Sequence, residues 1–312
     1  MTPVDEILRF LLTTPPPQPG SLRTLEAWWQ QHLGLASRFP TPVDVALAGG
    51  FMADRLGFAF ASGYHAALRC LFKKMPPDHR GALCATEAGG AHPSAIETRL
   101  SGGEGGALRL SGTKAFVTLG TAADTLLVVA TEGQDEQGRN RLRVVMINSR
   151  REGVHLTALP PTPFVPEVPH AVLELSDVAV SPDEVLAGDG YTRYLKPFRT
   201  TEDCHVHAAF LGWLLQVARR SGWPERIQNE ALALAVTFRG LALEEPSSPA
   251  VHVALGGALD LCRRLVSSLE EQWPQVDAQT RELWERDKPL LGVAGKARAK
   301  RLEVARQRLA GK

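Results

Sequence analysis

The chain has 312 residues, 44% of them hydrophobic and 22% charged, with a formal net charge of +1. That is ordinary globular composition, long enough for two or three packed units, and it excludes the strong basic excess of a dedicated nucleic-acid binder. No run of about 18 apolar residues occurs, so no membrane span is expected, and MTPVDEILRF lacks the basic start of a secretory signal.

From Pro3 to about Lys74 the pattern is helical. Val4, Ile7, Leu8 and Leu11 recur at helical spacing, and Pro15-Pro16-Pro17 stops the run. Ser21 is expected to cap a second helix through Leu22, Leu25, Trp28 and Trp29. A third stretch begins at Thr41 with Pro42 in its first turn and runs through Val45, Phe51, Leu56, Phe60 and Leu68. Gly49-Gly50 either divides it or allows close helix contact.

From Gly81 to Gly190 the period changes to two. Leu108 and Leu110, Ala115 and Val117, then Leu126, Val128 and Ala130 read as strands between glycine turns. A hairpin is expected around Glu132 to Asn140, with later strands at 153–159 and 170–175. Strands with no helix between them indicate an antiparallel sandwich or barrel rather than a Rossmann unit. From about Tyr194 the helical period returns, broken at Gly222-Trp223-Pro224, at 245–249 and at Trp273-Pro274, which leaves three or four helices. Gly256-Gly257 reads as a close helix contact, and the basic run after Lys288 as a solvated helix face. The fold class is therefore α+β: an N-terminal helical domain (1–80), a middle antiparallel β-barrel or sandwich domain (81–192) and a C-terminal helical bundle (193–312).

Cys70, Cys84, Cys204 and Cys262 form no CxxC pair. They read as buried small hydrophobes of a reduced, cytoplasmic protein rather than as a zinc or redox motif. His205 and His207 face different sides of a helix, and Asp203 with His207 supplies only two ligands, so no metal site is expected.

Three segments carry a resemblance. Residues 84–90 read Cys-Ala-Thr-Glu-Ala-Gly-Gly, residues 108–120 read LRLSGTKAFVTLG, and residues 176–191 read SDVAVSPDEVLAGDGY. In order and spacing this resembles the acyl-CoA dehydrogenase family, with its "TEP-G", "NG-K-WITNG" and "DV-VP-NVLG-G-G" segments, as a short, divergent member. The resemblance implies FAD as cofactor, its isoalloxazine ring lined by Thr86, Phe116 and Thr118. Hydroxyls and backbone N–H groups tune such a ring, and an aromatic packs beside its face. From the strand pattern alone, Phe116 reads instead as β-core and Thr118 as strand surface. His92 stands near where the family's Ser meets the flavin or the thioester arm. The family's Pro, Trp and Asn become Ala88, Phe116 and Leu119 here.

The implied chemistry is removal of an α-proton from an acyl-CoA or related thioester while a hydride leaves the β-carbon, for which a desolvated carboxylate is suited. No Glu lies in the late loop where most members place the base. A minority place it on the first helix after the β-domain, ten residues before the Gly of a Leu-Gly pair, and that position is Glu202. Capping by Thr200 or Thr201, with Glu202 and Asp203 complementing the helix dipole, is the structural alternative. The family's following Arg is Asp203 here. The family's pyrophosphate and adenine segments have no recognisable counterpart here, and Arg219 and Arg220 are candidates to serve the flavin phosphates. The expected function is thus a flavoprotein oxidoreductase of the acyl-CoA dehydrogenase type. The alternative is a non-catalytic relative that binds a thioester or a partner protein. The resemblance also implies a homodimer, or a hetero-oligomer with a paralogue that completes the cofactor contacts.

Overall fold

The computed structural model describes residues 2–102 and 107–311. Its contacts divide into a helical unit (Met1–Cys70, Thr162–Glu167 and Arg199–Lys312) and a sheet unit (Leu71–Pro161 and Val168–Phe198).

In the helical unit, α1 (Pro3–Thr13) opens with a capping box between Thr2 and Asp5 and buries Ile7, Phe10 and Leu11. Helix α2 (Leu25–Arg38) is capped by Thr24, whose hydroxyl accepts from the Ala27 N–H, and not by Ser21. The expected long third helix is two, α3 (Pro42–Phe51) and α4 (Leu56–Leu71). The break falls after Gly49-Gly50, at a turn that grips the chain before α2: the Leu22 N–H donates to Asp54 Oδ2 at 2.8 Å, and Arg55 Nη2 donates to the Leu22 carbonyl at 3.0 Å.

Among the described residues five helices follow the sheet unit, where three or four were expected: α5 (Lys196–Arg220), α6 (Glu225–Ala242), α7 (Pro249–Ser267), α8 (Ala278–Asp287) and α9 (Gly295–Leu309). The short polar α8, AQTRELWERD, has too little apolar periodicity to be read with confidence from sequence. Helix α5 packs against α3 almost backbone to backbone. A Cβ on Gly50 would overlap the Ala209 carbonyl, and one on Gly212 would overlap the Leu47 carbonyl. Ala46, Ala66 and Ala209 fill the seam. The glycine pair thus serves close contact rather than helix division, and Gly212 explains why a Leu-Gly pair sits on α5. Of Gly256-Gly257, only Gly256 faces a neighbour, the Leu302 side chain of α9.

The hexapeptide 162–167 belongs to this helical unit although sheet residues flank it. Val165 is held at φ +47°, a strained conformation for a β-branched residue that costs on the order of 1–3 kcal/mol. Its N–H donates to Asp287 Oδ1 at 2.8 Å, and Glu167 Oε1 accepts from Arg55 and Arg286 at 3.2 and 2.7 Å.

Among its described residues the sheet unit has seven strands: β1 (Gly81–Cys84), β2 (Arg99–Gly102), β3 (Leu108–Thr118), β4 (Thr125–Gln134), β5 (Asn140–Asn148), β6 (Val154–Ala158) and β7 (His170–Val180). They run in the order β1-β4-β2-β3-β7-β6, with β5 on the other edge of β4. The expected hairpin is β4–β5, paired antiparallel from Thr125↔Asn148 to Gln134↔Asn140. The sheet is mixed rather than purely antiparallel, because β1 and β4 pair in parallel. Leu110, Val117, Leu126, Val128, Val145, Ile147, Leu173 and Val178 form its core.

Replacing Gly50 with Val is expected to cost about 3 kcal/mol or more in urea unfolding, because backbone must move to admit the side chain. Gly34→Ala on α2, where a Cβ meets nothing within 4 Å, is expected to be neutral or stabilising by up to about 1 kcal/mol.

Candidate functional site

In the sheet unit the site begins with a β-bulge. Strand β3 buries Leu110 and Lys114 on one face, and strict alternation would place Phe116 beside them. The register against β7 shifts between Lys114 and Val117, so Val117 turns inward and Phe116 outward. Phe116 is 42% exposed, which corrects the reading of this residue as β-core.

The outward face gathers the predicted residues. Thr86 bridges Phe116 across an antiparallel pair, and the Ala115 N–H donates to the Thr86 carbonyl at 2.8 Å. Thr118 lies two residues along β3 and pairs with His170. The His170 ring stacks on Phe116 with centroids 4.3 Å apart. Burial lowers the His170 pKa, and a bond with the Val168 backbone only partly opposes it, so the ring is neutral at physiological pH. Thr86 and Thr118 are half-buried, and neither hydroxyl has a hydrogen-bond partner among the described residues. His170 escaped the sequence reading because it only begins a strand there. His92 caps a short turn, Pro93–Ala95, with Nδ1 2.8 Å from Ser94 Oγ. No hydrogen bond or ring contact joins it to Thr86, Phe116 or Thr118 among the described residues.

Beneath this face lies a buried ion pair that sequence reasoning also passed over. Lys114, 0% exposed, donates to Glu87 Oε1 at 2.5 Å and to the Val129 carbonyl at 2.6 Å. The Glu87 carboxylate also accepts from the Glu97 and Thr98 N–H groups and the Thr98 hydroxyl. Burial pushes the Glu87 pKa up, but these donors outweigh it and hold the carboxyl below its ordinary value. Gly112, at φ +147°, is needed because a Cβ there would overlap Thr98. The Glu of the first motif and the Gly and Lys of the second are thus one structural device. The signal was present in the motifs themselves, as a lysine at an inward strand position.

In the helical unit, α5 continues from a π-turn at Tyr191–Leu195 and starts at Lys196, so Glu202 lies in its second turn. Thr200 and Thr201 lie inside the helix rather than at its N-cap, so Glu202 is not a first-turn acid complementing the helix dipole. The two adjacent carboxylates have opposite environments. Asp203 is buried, yet Arg298 and Arg301 of α9 grip both its oxygens; burial would raise its pKa, and the two guanidinium charges lower it. Glu202 makes no hydrogen bond or ion pair among the described residues. Burial first, and then the Asp203 charge, push its pKa up to about 7, against smaller opposing effects of Arg298 and Arg199. Separated pKa values on neighbouring acids are how proteins assign one a fixed charge and the other a proton to exchange.

Arg219 and Arg220 are spoken for. Arg219 donates to the Leu11 and Thr14 carbonyls, and Arg220 to Pro17, Gln216, Asp277 and Thr280. They hold the N-terminal segment to the bundle, so both guanidinium groups are already engaged.

The model of the acyl-CoA dehydrogenase middle domain matches residues 82–178. Butyryl-CoA dehydrogenase from Megasphaera elsdenii superposes with a TM-score of 0.69 at 13% identity, covering 98% of each chain. The FAD complex of PigA gives 0.65 at 13% identity, covering 99% of this chain and 96% of its own. Dibenzothiophene monooxygenase TdsC from Paenibacillus sp. A11-2 gives 0.65 at 15%, covering 92% and 90%. No curated protein matches the chain by sequence. The chain therefore has the acyl-CoA dehydrogenase fold, and residues 82–178 match its middle domain. No helix among the described residues is long and apolar enough to cross a membrane.

Lys114→Met is expected to cost about 3–5 kcal/mol in urea unfolding at neutral pH, because it strands the Glu87 carboxylate in the interior. The folded pKa of Glu87 is depressed, so the pair's contribution is complete above the ordinary carboxylate range and is lost as pH falls through the depressed value. The gap between wild type and variant should close in that acid window.

Proposed function

We propose that the protein is a flavin-dependent oxidoreductase of the acyl-CoA dehydrogenase type, acting on an acyl thioester with Glu202 as the α-proton base. The observation that carries this reading is the bulge-exposed Phe116, flanked by the unpartnered hydroxyls of Thr86 and Thr118 and backed by His170. Folding alone favours burying such an aromatic. An outward ring between two free hydroxyls fits the flat, partly polar isoalloxazine of FAD.

When bound, FAD supplies the acceptor for the hydride leaving the substrate β-carbon. Phe116, Thr86 and Thr118 would hold the ring, the aromatic through its apolar face and the two hydroxyls as hydrogen-bond donors. Glu202 takes the α-proton onto a carboxylate oxygen that no arginine occupies. Its pKa near 7 leaves it substantially ionised at neutral pH while keeping it a stronger base than an exposed carboxylate. Asp203, fixed by Arg298 and Arg301, remains charged throughout and does not compete for that proton. By the same resemblance the protein is read as a homo-oligomer, or as a partner of a paralogue that completes the phosphate contacts.

One observation favours the second reading, a relative that binds a thioester or a protein without turnover: the arginines nearest the phosphate role are already engaged. Flavin retention separates the two. The enzyme reading expects close to one FAD per chain after gel filtration, and loss of most of it in Phe116→Ala. A folded protein that retains none would favour the binder.

For the catalytic role, Glu202→Gln should abolish substrate-driven flavin bleaching while FAD retention stays as in wild type. The folded pKa is raised, so the basic form is lost below it. Bleaching as kcat/KM should therefore rise with pH to a plateau, with an inflection near 7. Unchanged turnover in Glu202→Gln would remove this residue from the mechanism.

A further inference from the structure

The helical unit contains a cavity of about 740 Å³ bounded by α5, α7, α8 and α9. Neither Glu202 nor any of the flavin-facing candidates lines it, so it lies outside the function proposed above. Its volume falls in the range of small-molecule sites, about 300–1,000 Å³. Three features define what it would accept.

Its body is apolar, with Leu259, Val266, Trp284, Leu291 and Leu302 among the walls. Its charged lining residues are four cations, Arg263, Lys288, Arg298 and Arg301, against one acid, Asp260. Arg298 and Arg301 are committed to Asp203. Arg263 and Lys288 are held only by exposed local pairs with Asp260 and Glu285, which contribute little and exchange readily.

The third feature is His207, 4% exposed and lining the cavity. Its Nδ1 lies 2.8 Å from the Asp203 carbonyl, which can only accept, so Nδ1 carries the proton. Burial, reinforced by Arg298, lowers its pKa to about 4 despite Asp203, so the ring is neutral and Nε2 is a bare acceptor. Among the described residues Nε2 has no partner. The ring is locked by stacking on Phe238, centroids 5.2 Å apart. A fixed, unpaired acceptor reached from an apolar cavity offers a ligand's O–H or N–H donor a defined partner.

We propose that this cavity binds a small amphipathic carboxylate, its apolar chain between α7 and α9, its anionic head at Arg263 and Lys288, and a hydroxyl or N–H at its far end donating to His207 Nε2. The site is one of binding, separate from the redox chemistry, and its ligand is a free acid rather than a thioester.

The test is titration of the purified full-length chain with 10-hydroxydecanoate and with decanoate, followed by calorimetry and by tryptophan fluorescence, since Trp284 is in the wall. Both acids should bind saturably at one site, with the hydroxy acid about fivefold tighter, the ratio corresponding to one hydrogen bond of about 1 kcal/mol. His207→Phe, which keeps the stacked ring, should remove that preference. Arg263→Gln with Lys288→Gln should weaken both acids and flatten the salt dependence. Ala299→Trp, at an exposed position on the cavity wall, fills the space without disturbing the core and should abolish binding of both. Absence of saturable binding, binding unchanged in Ala299→Trp, or a hydroxyl preference that survives His207→Phe would each overturn the assignment. Flavin retention and substrate bleaching should be unaffected in Ala299→Trp, so failure here is distinct from failure of the enzyme reading.

Discussion

The buried pair of Glu87 and Lys114 is the interaction on which the sheet site rests. A lysine with no solvent contact is tolerated only with its charge matched and its donors used, and here a carboxylate and the Val129 carbonyl meet both needs. Glu87 in turn collects the backbone N–H groups of Glu97 and Thr98. One ion pair therefore ties the 87–98 loop, β3 and β4 into a fixed frame. Thr86 is adjacent to one partner and Phe116 is two residues from the other. Regular alternation turns Lys114 inward, and the bulge that follows it turns Phe116 outward.

The helical unit uses the same logic on α5. Close packing on α3 through Gly50 and Gly212 fixes the helix, and the charges are sorted along it. Asp203 is neutralised by two arginines from α9, while Glu202, one residue away, receives none and is lifted toward neutrality by burial and by its neighbour's charge. Arg298 of α9 donates to Asp203 and makes no ion pair with Glu202 among the described residues. His207, one turn further along, is kept neutral by that same desolvation.

Much of the architecture was legible because it depends on local periodicity. The change from helical to alternating spacing near Gly81 and back near Tyr194, the β4–β5 hairpin and most helix breaks all follow from proline, glycine and apolar spacing. What was misread turned on contacts distant in sequence. Thr24 rather than Ser21 caps α2, and the third helix breaks at 52–55 because Asp54 and Arg55 hold Leu22. Likewise, Arg219 and Arg220 looked available only because their carbonyl partners lie about two hundred residues away.

By itself, then, the sequence determined the helix–sheet–helix order, the motif positions that brought Thr86, Phe116 and Thr118 to attention, and Glu202 as the acid on the first helix after the sheet. These are properties of spacing, which the chain carries wherever it lies. Tertiary structure alone decided which face each side chain presents and what charge it bears. A one-residue bulge reverses the alternation of β3 and turns Phe116 out, a distortion set by cross-strand register that no strand pattern encodes. The difference between Glu202 and Asp203, adjacent acids of nearly identical intrinsic acidity, arises from arginines almost one hundred residues away that reach one and not the other. Desolvation and through-space charge fix protonation, and both exist only once the chain has packed.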